Sequence, residues 1–175
     1  PLRNVEAGHA SVGGPDGRQC SCGARGCLEA YAAAPAIVKA YGDDSVTCRD
    51  VVARAASDDR AARAVDGAAR YLAVGCLDLC RTLDVGAVVL TGGVARAGPP
   101  FLDRVRRHAR ALDWTCLPCR ADRVVLGSVA HAGCVGAARA ALNAAPRRRR
   151  VPLGYFVLEL AAGFVAAARV RRTVV

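Results

Sequence analysis

An α/β lobe is the fold class that this sequence predicts, and three observations carry it. The run AVVLTGG from Ala87 to Gly93 is short, apolar and β-branched and ends in glycines, as a strand buried on both faces would. Segments with helical spacing of apolar residues flank it on both sides. A second short run, Arg123 to Leu126, follows the next helix as another strand. Alternating helix and buried strand is the pattern of a sheet covered by helices. With 53% hydrophobic residues among 175, the chain has ample material for a buried core.

In chain order, Pro1 to Ser11 reads as an extended segment turning into a loop, which Gly13 to Gly26 continues as irregular backbone. Leu28, Ala32, Ile37, Val38 and Tyr41 then recur at helical spacing, with Pro35 separating two short helices and Gly42 ending the run. Thr47 followed by Asp50 predicts an N-cap for a short helix through Ala56. A longer helix is expected from Asp59 to Leu83, with Ala64, Ala68, Tyr71, Leu72, Cys76, Leu79 and Cys80 on its apolar face. After the strand, Pro99 and Pro100 suit the first turn of a helix in which Phe101, Val105, His108 and Leu112 recur, and Ser128 to Ala145 forms the last helix. This gives a lobe over residues 1–145 and a tail over residues 146–175.

The tail holds +6 of the formal net charge of +10, so the body is only mildly basic. Its basic residues are scattered, and Trp114 is the only tryptophan, which argues against a nucleic-acid partner. Beyond Arg147–Arg150 lies VPLGYFVLELAAGFVAAARV, about 20 residues and long enough to span a bilayer if helical. Glu159 near its middle would cost about 2.5–3.5 kcal/mol there if charged, so a packed helix or a separate extension is favoured over membrane contact. The nine cysteines are odd in number and several fall in alanine-rich helical patterns, which favours a reducing, cytoplasmic setting over a disulfide framework. The opening PLRN carries no methionine and no signal-peptide pattern, and the expectation is a fragment.

The stretch EAGHASVGGPDGRQCSCGARGCLEAY, from Glu6 to Tyr31, carries the chemistry. His9, Cys20, Cys22 and Cys27 offer one imidazole and three thiols, the set that closes a tetrahedral structural zinc site spanning residues 9–27. The pattern ExGH, about ten residues, then CxCGxxGCLEAY resembles the signature of ROK-family sugar kinases. The order of elements through VVLTGGVARAG to the last helix is similar to that family's C-terminal lobe.

The resemblance implies an actin-like, ribonuclease H-like fold with an inserted zinc loop, transfer of the ATP γ-phosphoryl group to a hexose, and magnesium as the companion of ATP. It makes Glu6, His9 and Glu29 sugar contacts and places the adenosine of ATP at Gly92 and Gly93. It also implies a homo-oligomer for the full-length protein. Glucose is the first expected substrate, with N-acetylmannosamine or fructose as rivals, and a non-enzymatic sugar sensor or repressor is the alternative. The family's DxGxT-like phosphate loop and aspartate base have no counterpart in this sequence, so no catalytic residue is assigned and the isolated chain is expected to be inactive. Cys116 and Cys119 read as an incidental CxxC. His108 and His131 read as structural or exposed, and Cys48, Cys76, Cys80 and Cys134 as small apolar residues.

Overall fold

A computed structural model describes residues 6–113, 120–144, 155–160 and 164–170. Helices α1 (Glu29–Ala32) and α2 (Ala34–Tyr41) are separated at Ala33, with Pro35 in the first turn of the second, where a missing amide hydrogen costs nothing. Helix α3 (Cys48–Arg54) begins with the expected capping box. Thr47 Oγ1 accepts from the amide of Asp50 at 3.3 Å, and the Asp50 carboxylate accepts from the amide of Thr47 at 2.8 Å.

Helix α4 (Asp59–Leu83) is the spine of the lobe. Asp58 caps it by accepting from the amides of Arg60 (2.7 Å) and Ala61 (3.2 Å). Its predicted face is buried at Ala64, Ala68, Leu72, Cys76 and Cys80, and burial extends well beyond that stripe to Ala61, Val65, Ala69, Ala73 and Leu77. The reason is packing on several sides, since α4 touches α1, α2 and α3 as well as the later helix and strand. A frequency of alanine this high lets those neighbours approach closely.

Strand β1 (Val85–Thr91) follows directly and leads into the short helix α5 (Gly92–Ala95). Helix α6 (Pro99–Leu112) carries the chain across to β2 (Val124–Leu126), which pairs parallel to β1 with Val88 opposite Val124 and Leu90 opposite Leu126. Val85, Val88, Phe101, Val105 and Val124 fill the core between this sheet and the helices, each at most 2% exposed. The last helix, α7 (Ala132–Ala144), starts four residues later than expected, after a turn in which His131 has a positive φ of 52°.

The tail departs from the helical expectation. Its backbone runs as two strands, β3 (Tyr155–Leu160) and β4 (Phe164–Val170), and β4 lies antiparallel to β1, giving the sheet order β2-β1-β4-β3. Val, Phe, Tyr and Leu dominate VPLGYFVLEL, and β-branched and aromatic residues fit a pleated surface better than a helix. No helix among the described residues is long and apolar enough to cross a membrane.

Candidate functional site

The loop between residue 6 and α1 folds on its own backbone. A 3₁₀ turn (Ala7–His9) is closed by the amide of His9 donating to the carbonyl of Glu6 at 2.9 Å. Two antiparallel bridges then join Ser11 to Cys27 and Gln19 to Arg25. Between them, the amides of Val12 and Gly13 both donate to the carbonyl of Gly26, and the amide of Gly26 donates to Arg18. Gly26 sits at φ +78°, and a Cβ there would strike the backbone of Gly14, so no other residue fits this crossing. Tyr31 of α1 supports the loop from below. Its ring stacks on Tyr71 of α4 at 3.8 Å between centroids, and its hydroxyl oxygen accepts from the amide of Arg18 at 2.8 Å.

This fold gathers the four predicted ligands. One donor atom from each of His9, Cys20, Cys22 and Cys27 lies within 4.8 Å of every other. Cys20 Sγ is 3.6 Å from His9 Nδ1, and Cys22 Sγ is 3.7 Å from Cys27 Sγ. A tetrahedral zinc with ordinary bond lengths has N···S edges of about 3.6 Å and S···S edges of about 3.8 Å. Two edges of the tetrahedron are therefore already at the length that zinc requires, and the donor set is that of a closed structural site.

The thiols differ in their readiness to ionise. Burial raises Cys20, but hydrogen bonds from the backbone and side chain of Cys22, then from Cys27 and His9, outweigh it and bring the thiol down to about 7. Burial pushes Cys27 the other way, up to about 12, with Cys22 and Cys20 adding to the effect. Without metal, Cys20 ionises near neutrality while Cys27 keeps its proton, and a divalent cation is what would release it.

Of the three carboxylate and imidazole groups expected at the sugar, two lie on segments that one backbone hydrogen bond joins. The amide of Leu28 donates to the carbonyl of Ala10 at 2.9 Å, so His9 and Glu29 are each the chain neighbour of one partner in that bond. Glu29 opens α1 and its Oε1 accepts from the Ser21 hydroxyl at 3.1 Å. Glu6 is exposed and precedes the 3₁₀ turn.

Gly92 and Gly93 lie at the carboxyl end of β1, where they form one wall of a cleft of about 590 Å³ together with Arg96. The facing wall is Gly127, Ser128 and His131, beyond the end of β2, with the amide of Gly127 donating to the carbonyl of Leu90 at 2.8 Å. Clefts outside the carboxyl ends of parallel strands are where α/β sheets receive ligands. A second cavity of about 590 Å³ lies beside the same turn, lined by Thr47, Arg49, Asp50, Gly93, Val94 and Arg96.

The other residues singled out divide cleanly. His108 is structural, with Nε2 3.0 Å from Asp66 Oδ2, and Arg104 and Arg107 converge on the same carboxylate to tie α6 to α4. Cys76 and Cys80 are buried in α4, and burial raises both thiols. Cys48 is half-buried with a thiol raised by burial, whereas Cys134 is exposed at the start of α7. Cys116 and Cys119 lie outside the described residues. Three contributors escaped the sequence reading: Ser21, Tyr31 and the Gly127–Ser128 wall. Only the last had a usable signal, a glycine directly after a second buried strand.

Fold and site together define an α/β lobe with a His–Cys₃ metal loop and a glycine-walled cleft at the ends of its parallel strands. The chain belongs to the ROK family, whose sequence model matches residues 3–144. It is 33% identical over 124 residues to a glucokinase of Halalkalibacterium halodurans, covering 61% of this chain and 38% of that protein. It is 29% identical over 104 residues to the xylose repressor of Bacillus spizizenii, covering 58% of this chain and 27% of the repressor. Among solved structures it resembles a ROK-family glucokinase from Streptomyces griseus in complex with glucose and AMPPNP, with a TM-score of 0.68 and 27% identity over 78% of this chain and 50% of that one. The chain thus spans half or less of the length of these relatives.

Proposed function

We propose that this chain is the sugar- and nucleotide-facing lobe of an ATP-dependent hexose kinase, with glucose as the first candidate substrate. The observation that carries the reading is the junction at Leu28 and Ala10, where one backbone hydrogen bond joins the segment that carries His9, a member of the His–Cys cluster, to the segment that opens α1 with the carboxylate of Glu29. If Nδ1 of His9 faces the metal, as its 3.6 Å separation from Cys20 Sγ suggests, the other ring nitrogen is left as an N–H donor for a sugar hydroxyl. Glu29 and Glu6 would accept from neighbouring hydroxyls through charge-assisted hydrogen bonds. Zinc held by His9, Cys20, Cys22 and Cys27 would supply a rigid frame and a fixed imidazole tautomer rather than a reacting centre.

The cleft at Gly92 and Gly93 suits ATP, because glycines let backbone amides approach phosphate oxygens closely. Phosphoryl transfer depends on positioning and charge neutralisation, with magnesium accompanying the nucleotide and a carboxylate base taking the hydroxyl proton. None of the residues of this chain is assigned as that base. Homo-oligomerisation of the full-length protein and a division into a lobe over residues 1–145 and a tail over residues 146–175, whose strand β4 pairs with β1, belong to the same proposal.

The similarity to a xylose repressor supports a second reading, a sugar-sensing lobe without turnover. The two separate in one experiment on the full-length, zinc-loaded gene product supplied with magnesium, ATP and glucose. ADP formation that depends on glucose is the expected result. Glucose binding with no ADP formation would transfer the chain to the sensor class, and absence of glucose binding would remove glucose from both. Glu29→Gln should weaken sugar binding while leaving about one zinc per chain.

A further inference from the structure

We infer that Ser21 is a positioning residue for sugar recognition, linking the metal loop to the carboxylate of Glu29. This rests on the reading of Glu29 as a sugar contact. Ser21 stands between two thiols of the cluster, Cys20 and Cys22, so a metal held by both would fix its backbone on either side. The turn around it is closed independently: the amide of Gly23 donates to the carbonyl of Cys20 at 3.1 Å, and the amide of Cys20 donates to Ala24 at 2.9 Å. The side-chain amide of Gln19 adds a bond to the carbonyl of Gly23 at 3.0 Å. From this fixed place the Ser21 hydroxyl donates to Glu29 Oε1 at 3.1 Å.

A glutamate has three rotatable bonds, and ordering them on ligand binding costs free energy. A hydroxyl already bonded to Oε1 narrows that search before the sugar arrives. It also leaves the second carboxylate oxygen and the remaining lone pairs of Oε1 for ligand hydroxyls. A metal in the cluster would thus order the carboxylate as well as His9: order in the Cys20–Cys22 turn passes through one serine hydroxyl to a side chain outside the cluster.

The test compares Ser21→Ala, Ser21→Thr and Glu29→Gln in the full-length, zinc-loaded gene product, reading glucose affinity by titration calorimetry and zinc content by metal analysis. Ser21→Ala should weaken glucose binding about threefold to tenfold, the range that one hydrogen bond spans, with zinc retained. Ser21→Thr, which keeps the hydroxyl, should restore affinity, a rescue that a merely structural role for the side chain would not show. In a Glu29→Gln background, Ser21→Ala should add less than twofold. If Glu29→Gln weakens binding and Ser21→Ala does not, the positioning role is overturned while the sugar reading stands. If neither changes affinity, the reading of Glu29 itself fails and takes this inference with it.

Discussion

Three glycines of the metal loop separate backbone strain from crowding, and alanine at each gives a graded prediction. Gly23 has φ +90° with nothing within 4 Å of a hypothetical Cβ, so Gly23→Ala imposes conformational strain alone. That strain is about 1–2 kcal/mol for an L-residue, partly offset by the lower entropy of the unfolded chain, which leaves about 1 kcal/mol. Gly17 lacks the positive φ, but its Cβ would lie 2.6 Å from the Cα of Gly26 and 2.8 Å from the Tyr31 hydroxyl, so Gly17→Ala is crowded without strain. Gly26 combines φ +78° with a Cβ driven into Gly14, and overpacking of about 1–3 kcal/mol adds to the strain. Since metal binding and loop folding are one event, these costs appear in the apparent zinc affinity. Gly23→Ala should weaken zinc about fivefold, and Gly26→Ala about thirtyfold to a thousandfold, at 1.4 kcal/mol per factor of ten. Competition with a chelator of known affinity, at fixed pH under reducing conditions, measures both. Gly26→Ala binding zinc within fivefold of the unaltered chain, or binding it more tightly than Gly23→Ala, would refute the account of the crossing.

Zinc loading should release protons unequally from the thiols. Hydrogen bonds draw the Cys20 thiol down toward neutrality while burial raises Cys27, so at pH 8 Cys27 should give up more of a proton to zinc than Cys20 does. Affinity must then rise with pH, and calorimetry of zinc binding in buffers of different ionisation enthalpy reads the proton count. At the start of α3, Thr47→Ala removes one half of the capping box and should destabilise the lobe by about 1 kcal/mol in denaturant unfolding. The Asp50 carboxyl is held below its ordinary value by hydrogen bonds from the side chain and backbone of Thr47. Its contribution to stability is thus present above the unfolded carboxylate range and is lost as pH falls through the lower folded value, so Asp50→Asn should flatten that acid limb of stability against pH.

Much of the lobe was legible because its signals are local. Asp59–Leu83 came from an apolar period, and the Thr47–Asp50 box from residue types three apart. The gathering of His9, Cys20, Cys22 and Cys27 was legible for the same reason, since donor chemistry is carried by residue type. What escaped depends on distance in sequence. Tyr31 supports the loop only because Tyr71, forty positions later, stacks on it, and the far wall of the cleft exists only because β2 pairs parallel to β1. The tail shows the opposite failure: a run of apolar residues long enough for a helix has no period that separates it from strand, and pairing with β1 decides the matter.

The placement of the His–Cys cluster follows from what the loop is unable to bury. From Ala10 to Gly26 most residues are exposed or half-buried, and Cys20, 5% exposed, is the only buried residue in that span other than glycine. A hairpin with so little apolar burial lacks a core of its own, and a tetrahedral metal on the His–Cys cluster would supply the missing crosslinks. At its end the loop reaches the core through Leu28, 4% exposed, which packs where Gly75 of α4 leaves room: a Cβ at Gly75 would lie 2.7 Å from Leu28 Cδ2. Helix α4 then passes through Asp84 straight into β1 and the Gly92–Gly93 turn. Only one long helix and one buried strand therefore separate the metal loop from the cleft. Neither element kinks sharply without disrupting its own hydrogen bonds, so within this lobe the distance between the two sites is set by stiff elements. In the kinase reading, closure that brings phosphoryl group and hydroxyl together must come from movement against this lobe rather than from within it.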